Sequence, residues 1–104
     1  MAGLPSEIVA EATRLFHDVR IGDIDDVEHA DFVIARVLDR GTMSSVRALL
    51  RHYGRDRIRE FFRTGGIDRV SRPTAALWLA FLQLRPEECT RRSLLPRSSP
   101  FWTA

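Results

Sequence analysis

At 104 residues the chain has the length of one domain with a core of modest size. A composition of 44% hydrophobic and 29% charged residues is that of a globular protein and argues against wholesale disorder. A single cysteine excludes an intramolecular disulfide, and the longest apolar run, residues 75–82, is far shorter than the roughly 20 residues of a membrane helix. The first residues also lack the pattern of a signal peptide, so we expect a cytoplasmic protein without membrane contact.

Charge is divided unevenly along the chain. Residues 1–39 hold nine acids and three arginines, a net charge of −6, whereas residues 40–104 hold thirteen arginines and five acids, a net charge of +8. All sixteen basic residues are arginine. This bias fits a GC-rich genome, and it equally fits contacts with carboxylates or phosphates, which the guanidinium fork suits better than lysine does. Composition does not separate these two explanations.

Apolar residues recur at helical spacing over residues 5–19 and again over residues 29–41, which predicts two helices. The acidic loop between them is expected to be pinned to the core by Ile21, Ile24 and Val27. Asp26 is expected to cap the second helix. That helix carries one apolar stripe, made of Ala30, Val33, Ile34, Val37 and Leu38. Phe32 lies off the stripe and is expected to contact the first helix or a partner.

Glycines divide the next part of the chain into two helices. The first is capped by Thr42 or Ser44 and stops at Gly54, a natural left-handed position. Its predicted core face consists of Met43, Val46, Leu49, Leu50 and Tyr53. A short helix over residues 56–63 is predicted to turn Ile58, Phe61 and Phe62 inward.

The last predicted helix is capped by Ser71, tolerates Pro73 in its first turn and ends by Pro86. Residues 75–84 are apolar around nearly the whole circumference, so this helix is either central or half of it is an interface. We therefore predict an all-α fold, a compact bundle of four to five short helices around the hydrophobic helix at 75–84. The helical domain covers residues 1–86, and residues 87–104 form an irregular C-terminal tail. The aromatic pair Phe101 and Trp102 is expected to dock on the domain or on a partner.

Catalytic and metal-binding patterns are weak in this sequence. The acidic residues at 23–31 lack the spacing of a calcium loop and fit a solvated loop followed by a helix start. The three histidines lie on different predicted elements, and Cys89 has no partner cysteine at zinc-ligand spacing. Gly65 and Gly66 are not followed by the residues of a phosphate-binding loop. We expect no catalysis, no metal and no cofactor.

An arginine series is the strongest candidate for function. Arg47, Arg51 and Arg55 follow at four-residue steps, and Arg59 continues the series on the next helix. A solvated face, a protein interface and a nucleic-acid surface all fit such a series, and the helix pair around Gly54 resembles a helix-turn-helix in outline. The candidate partner-binding residues are Arg47, Arg51, Arg55, Arg59, Phe101 and Trp102.

Four segments together resemble a family of small, uncharacterised helical bacterial proteins. An Arg-Val-Leu-x-x-Gly helix ends at Gly41, a Leu-Leu-x-x-Tyr-Gly-x-x-x-Ile segment covers residues 49–58, and a Ser-x-x-Thr-x-x-x-Trp helix starts at Ser71. The tail from Glu88 to Trp102 also has counterparts, so the resemblance covers residues 15–102. The chain departs from the pattern at His17, where tryptophan is usual, and at Pro73; neither change is expected to alter the fold.

Members of that family are often encoded beside a nucleotidyltransferase-like toxin of the AbiEii type. The resemblance therefore implies an antitoxin-like, non-enzymatic protein that binds and neutralises such a toxin. Two routes stay open: the acidic N-terminal third imitates phosphate in the toxin's cleft, or the arginine face grips an acidic toxin surface. The alternative function is a DNA-binding transcriptional autorepressor that uses the helix pair around Gly54.

Overall fold

The computed structural model describes residues 3–89, and within them the fold is all-α, as the sequence predicts. Short 3-10 turns at Ile21–Asp23, Gly66–Asp68 and Pro86–Glu88 separate or follow the helices. The α-helices of the described residues are α1 (Ser6–Ala10), α2 (Ala12–Leu15), α3 (Ala30–Arg40), α4 (Met43–Tyr53), α5 (Arg55–Arg63) and α6 (Arg72–Leu82).

The first predicted helix is divided into α1 and α2 at Glu11, whose backbone leaves the helical region at φ −104° and ψ 13°. The Glu11 carboxylate accepts hydrogen bonds from the backbone N–H of Thr42, at 3.3 Å, and from the Thr42 hydroxyl. It also pairs with Arg14 at 2.6 Å. The Thr42 hydroxyl is the main reason that the pKa of Glu11 lies below its usual value. Glu11 thus ties the start of the chain to the joint between α3 and α4.

Helix α3 provides the centre of the core, and its predicted stripe is confirmed. Val33, Ile34 and Val37 are fully buried, and Ala30 and Leu38 nearly so. Phe32 contacts the first part of the chain as expected, with its ring centroid 5.8 Å from that of Phe16.

The loop before α3 differs from its prediction in two places. Ile24 is buried, but Val27 is 79% exposed and does not pin the loop; the side chain of Ile21 lies outside the described part. Asp26 does not cap α3. Its carboxylate lies 2.7 Å from Nε2 of His52, and the Tyr53 hydroxyl donates to its carbonyl oxygen at 2.6 Å. These two contacts with the end of α4 hold Asp26 away from the helix start.

Helix α4 is rotated relative to its predicted core face. Thr42 caps it, accepting a hydrogen bond from the backbone of Ser45 at 3.4 Å. Ser45, Ala48 and Leu49 are the buried residues, whereas Met43 is 66% exposed. The prediction for Met43 is wrong because small side chains, not large ones, allow α4 to approach α1 and α3 closely. The other predicted residues of this face, Val46, Leu50 and Tyr53, are half-buried at its edge.

Gly54 alone joins α4 to α5, with φ 85° and ψ 155°. This backbone region is almost restricted to glycine. The prediction that α4 stops at Gly54 with a positive φ is confirmed, but the conformation is not left-handed helical. The inward residues of α5 are the predicted ones, since Ile58, Phe61 and Phe62 are buried.

Helix α6 is anchored at its first turn by Asp39 of α3. The carboxylate accepts hydrogen bonds from the backbone N–H and hydroxyl of Ser71, at 3.2 and 2.8 Å, and from the Thr74 hydroxyl at 2.7 Å. Ser71 therefore begins the helix as predicted but makes no side-chain capping bond of its own. Asp39 is the better acceptor at a helix N-terminus because it is charged.

The predicted central position of residues 75–84 holds for one side of α6 only. The buried residues on that side are Ala75, Trp78, Leu79, Leu82 and Leu84. On the other side Leu77 is 64% exposed and Phe81 47% exposed. Because α6 packs chiefly against α5, the described residues leave its Leu77 and Phe81 side uncovered, which agrees with the alternative that this side is an interface.

Helix α6 ends at Leu82, because the next residue, Gln83, adopts a left-handed conformation. The chain then makes the 3-10 turn Pro86–Glu88. In the predicted tail Glu87 and Glu88 are exposed, whereas Cys89 is buried and packs on the domain. The remainder of the tail, including Phe101 and Trp102, lies outside the described residues. Among residues 3–89 there is no helix with the length and apolar content needed to cross a membrane.

Candidate functional site

An open apolar groove runs between α4 and α6 and has a volume of about 480 Å³. We call it the α4/α6 groove. Its lining residues are Leu38, Gly41, Met43, Val46, Arg47, Leu50, Leu77, Trp78 and Phe81. The groove forms because α4 and α6 each carry apolar side chains on two faces. The core covers one face of each helix, and the other faces line the groove.

The groove exposes large apolar side chains that a globular protein usually covers. Met43, Leu77 and Phe81 account for three of the five large hydrophobic residues that are exposed in the described part of the chain. Trp78, 8% exposed, lies between them and the core, and its ring meets that of Phe81 edge to face at 5.2 Å. A contiguous apolar patch of this kind is typical of a protein-binding surface.

The charge of the groove is positive. Arg47 is the single charged residue that lines it, and it makes no hydrogen bond or ion pair with any residue in the range 3–89. At the far end the guanidinium carbon of Arg55 lies 4.9 Å from the Phe81 ring centroid, within the range of a cation–π contact. An occupant with apolar side chains and a carboxylate would satisfy both features.

The structure divides the predicted arginine series instead of gathering it into one free face. Arg51 pairs with Glu7 of α1 at 2.8 Å. Arg59 donates to the carbonyl oxygen of Leu82 and thereby satisfies one of the free carbonyls at the end of α6. Arg47 and Arg55 lie at the α4/α6 groove. Phe101 and Trp102, the other two candidates, lie outside the described residues.

Three pairs between an arginine and a carboxylate join segments that are distant in the sequence. Arg36 makes a two-point pair with Asp18, at 2.8 Å for each bond, and Arg57 pairs with Asp31 at 2.9 Å. The Arg36 guanidinium holds the pKa of Asp18 well below its usual range. Because Arg36 itself belongs to residues 1–39, two of the three pairs, Glu7–Arg51 and Asp31–Arg57, join the acidic first part of the chain to arginines of its basic part.

A second, larger cleft of about 780 Å³ lies beside the loop after α2. Its lining residues include His17, Asp18, Arg20, Asp23, His29 and Phe32. The Asp18 carboxylate is occupied by Arg36, and Nδ1 of His29 accepts a hydrogen bond from the backbone N–H of Asp25 at 2.9 Å. Asp18 and His29 therefore make contacts that hold the loop and α3 in place.

The acidic cluster at residues 23–31 is spread over separate contacts. The Asp25 carboxylate accepts hydrogen bonds from the backbone of Val27 and Glu28, at 3.2 and 2.7 Å, while Asp26 faces His52. Within the described residues, no group of three His, Cys, Asp or Glu side chains is arranged to hold a metal ion.

The comparison with known families gives a match over α2 to α5. A family described as "Family of unknown function (DUF6922)" matches residues 12–62. The matched stretch contains the α4 wall of the groove, including Met43 and Arg47, but not α6. No curated protein and no solved structure matches the chain.

Of the residues that line the groove, only Arg47 is a predicted site residue; the exposed apolar residues Met43, Leu77 and Phe81 are not among the predicted ones. Two features of the sequence could have indicated these residues. Apolar residues surround most of α6, and the apolar positions of α4 are more than its contact with the core needs. Sequence spacing did not show which of the two apolar sides the core uses.

Proposed function

We propose that this protein is a non-enzymatic, antitoxin-like protein that acts in the cytoplasm by binding and neutralising a nucleotidyltransferase-like toxin. The sequence resemblance described above supports the class of partner. The observation that carries the binding role is the α4/α6 groove, where Met43, Leu77 and Phe81 are exposed together. Removing these side chains from water on binding is favourable, at about 25 cal/mol per Å² of apolar area before the costs of association.

A protein partner fits the groove better than a small molecule does. Small-molecule sites enclose the ligand and orient it with several converging polar groups. The α4/α6 groove is open and has Arg47 as its only charged lining residue among those the structure describes. Such a surface resembles the apolar centre and charged rim of a protein interface.

The DNA-binding alternative receives less support from the geometry. Three arginines around Gly54 are engaged within the chain, since Arg51, Arg57 and Arg59 contact Glu7, Asp31 and the Leu82 carbonyl. A single residue joins α4 and α5, whereas the turn of a helix-turn-helix has three or four. If DNA is bound through phosphates, its affinity must fall steeply as salt rises, and a titration at two salt concentrations tests this.

The test of the proposal uses the toxin encoded by the neighbouring reading frame. Co-expression should neutralise the toxin, and Leu77→Ser should weaken both co-purification and neutralisation. Val27→Ser is the matched control, because Val27 is also an exposed apolar residue, at 79%, but lies outside the groove. Both variants should keep the parent's melting temperature, since neither residue is in the core.

Two results would contradict the proposal. One is a full-length protein that neither binds nor neutralises the neighbouring nucleotidyltransferase-like toxin. The other is turnover of nucleotides by the purified protein itself, which would remove the non-enzymatic assignment.

A further inference from the structure

The α4/α6 groove has the shape of a site for one more helix. On the α4 side Met43, Arg47 and Leu50 follow at helical intervals, and on the α6 side Leu77 and Phe81 are one turn apart. An incoming helix presents its side chains at the same intervals of three and four residues. Recognition of an amphipathic helix by an apolar groove is a common form of protein binding.

The charges at the groove restrict the kind of helix that fits. Arg47 is unpaired within the range 3–89, and Arg55 lies over the Phe81 ring. No carboxylate is present among the lining residues. Burying Arg47 under an uncharged or basic segment would leave its guanidinium without a partner, which is costly, whereas a carboxylate gives it a strong hydrogen bond.

We propose that the occupant of the α4/α6 groove is an acidic amphipathic helix of a partner protein. Its apolar side chains pack on Met43, Leu77 and Phe81, and one of its carboxylates pairs with Arg47. This inference rests on the proposed function for the presence of a partner, and it adds the chemistry that the partner must have. The chain's own segment 90–104 fits less well, because it carries three arginines and no acidic residue.

The experiment uses the full chain with labelled methionine methyl groups. There are two methionines, so the Met43 methyl gives one of only two signals and reports directly on the groove. The probes are two synthetic helical peptides of about 15 residues with leucines at i, i+3, i+4 and i+7. One has glutamates beside the leucines, and the other has lysines at the same positions.

The acidic peptide should shift the Met43 signal and bind at least about fivefold more tightly than the basic one, because only its carboxylates complement Arg47. Arg47→Gln should reduce this preference, and Arg47→Glu should reduce it further, because Arg55 is then the remaining cation at the groove. Arg20→Glu is the matched control and should leave the preference unchanged, since Arg20 is exposed on the other cleft and does not line the groove. Melting curves verify that all three variants are folded.

Equal binding of the two peptides, or no shift of the Met43 signal by either, would overturn the proposal. So would a change of the Met43 signal in the peptide-free double variant Phe101→Ala, Trp102→Ala, because the chain's own end would then occupy the groove. A dimer in sedimentation that Leu77→Ser dissociates would assign the groove to a second copy instead.

The toxin assay is independent of these measurements. If the toxin is neutralised while the acidic peptide fails, the proposed function holds and the acidic helix is the wrong occupant. If the peptide binds as expected but the toxin is not bound, the groove keeps its assigned chemistry and the toxin is the wrong partner.

Discussion

At the scale of single residues, neighbours on α6 have opposite roles. Trp78 is 8% exposed and joins the core, whereas Leu77 beside it is 64% exposed. We expect Trp78→Ala to lower the free energy of unfolding by roughly 3–5 kcal/mol, a large share of the stability of so small a domain. Leu77→Ala should change it by less than about 0.5 kcal/mol. Denaturant titration of both variants measures the difference, and similar values for the two would place Trp78 outside the core.

Tyr53 provides a second prediction at this scale. Burial, and secondly the nearby Asp26, raise the pKa of Tyr53 to about 12. Because the folded state has the higher pKa, the contribution to stability is complete below the ordinary value of 10 and is lost as pH rises through about 12. Tyr53 is the only tyrosine, so phenolate absorbance during alkaline titration reports on it alone. A midpoint near 10 in the folded protein would show that the ring is freely hydrated.

At the scale of the elements, single residues determine how the helices are joined. Gly54→Ala should destabilise the fold by roughly 1–3 kcal/mol, because an alanine at φ 85° and ψ 155° is strained. Gly22→Ala is the control, since a methyl group there meets no atom within 4 Å and the backbone has no positive φ. Thermal melting of the two variants gives the comparison; equal losses would mean that the joint tolerates a side chain.

Asp39 is the link between α3 and α6 and makes that contact dependent on pH. Burial, the largest effect, raises the pKa of Asp39, but hydrogen bonds from Thr74 and Ser71 outweigh it and the pKa is lowered from 3.8. A lowered carboxyl pKa contributes stability above the unfolded value, and this stability is lost as pH falls through the folded value. Asp39→Asn should therefore lower the melting temperature at neutral pH. The difference from the parent should begin to narrow as pH falls below the unfolded pKa of about 4, and it should close below the lowered pKa of the folded state. A constant difference would assign the effect to packing.

The helices themselves follow from the sequence more completely than their orientation does. The stripe of α3 and the inward residues of α5 were predictable because a single set of apolar positions repeats at helical spacing. The rotation of α4 was not, since its close approach to α1 and α3 depends on Ser45 and Ala48, which composition does not mark as core residues. The α4 wall of the groove was missed for the same reason. An exposed side of α6 was one of the two alternatives that its apolar circumference allowed, and Arg47 and Arg55 were recognised from the arginine series.

At the scale of the whole molecule, much of the charge is arranged in pairs between distant segments. The double variant Arg47→Glu, Arg51→Glu should keep its helical circular dichroism, and its melting temperature should fall by only a few degrees. Within residues 3–89 the variant breaks one pair, Arg51–Glu7, which is largely exposed and is worth at most about 1 kcal/mol. The same variant should bind the toxin more weakly, because Arg47 lies on the groove. Unchanged affinity would leave the arginines of α4 with no part in binding.

The two faces of α4 are expected to differ in how freely their residues can be substituted during evolution. Its inner face, Ser45, Ala48 and Leu49, is constrained by close contact with α1 and α3. Met43 and Arg47 on its outer face contribute little to folding, as does Leu77 on α6. Substitutions at these outer positions can accumulate without loss of stability. A lineage with this fold is therefore able to follow a changing partner, or to acquire a new one, while its scaffold stays the same.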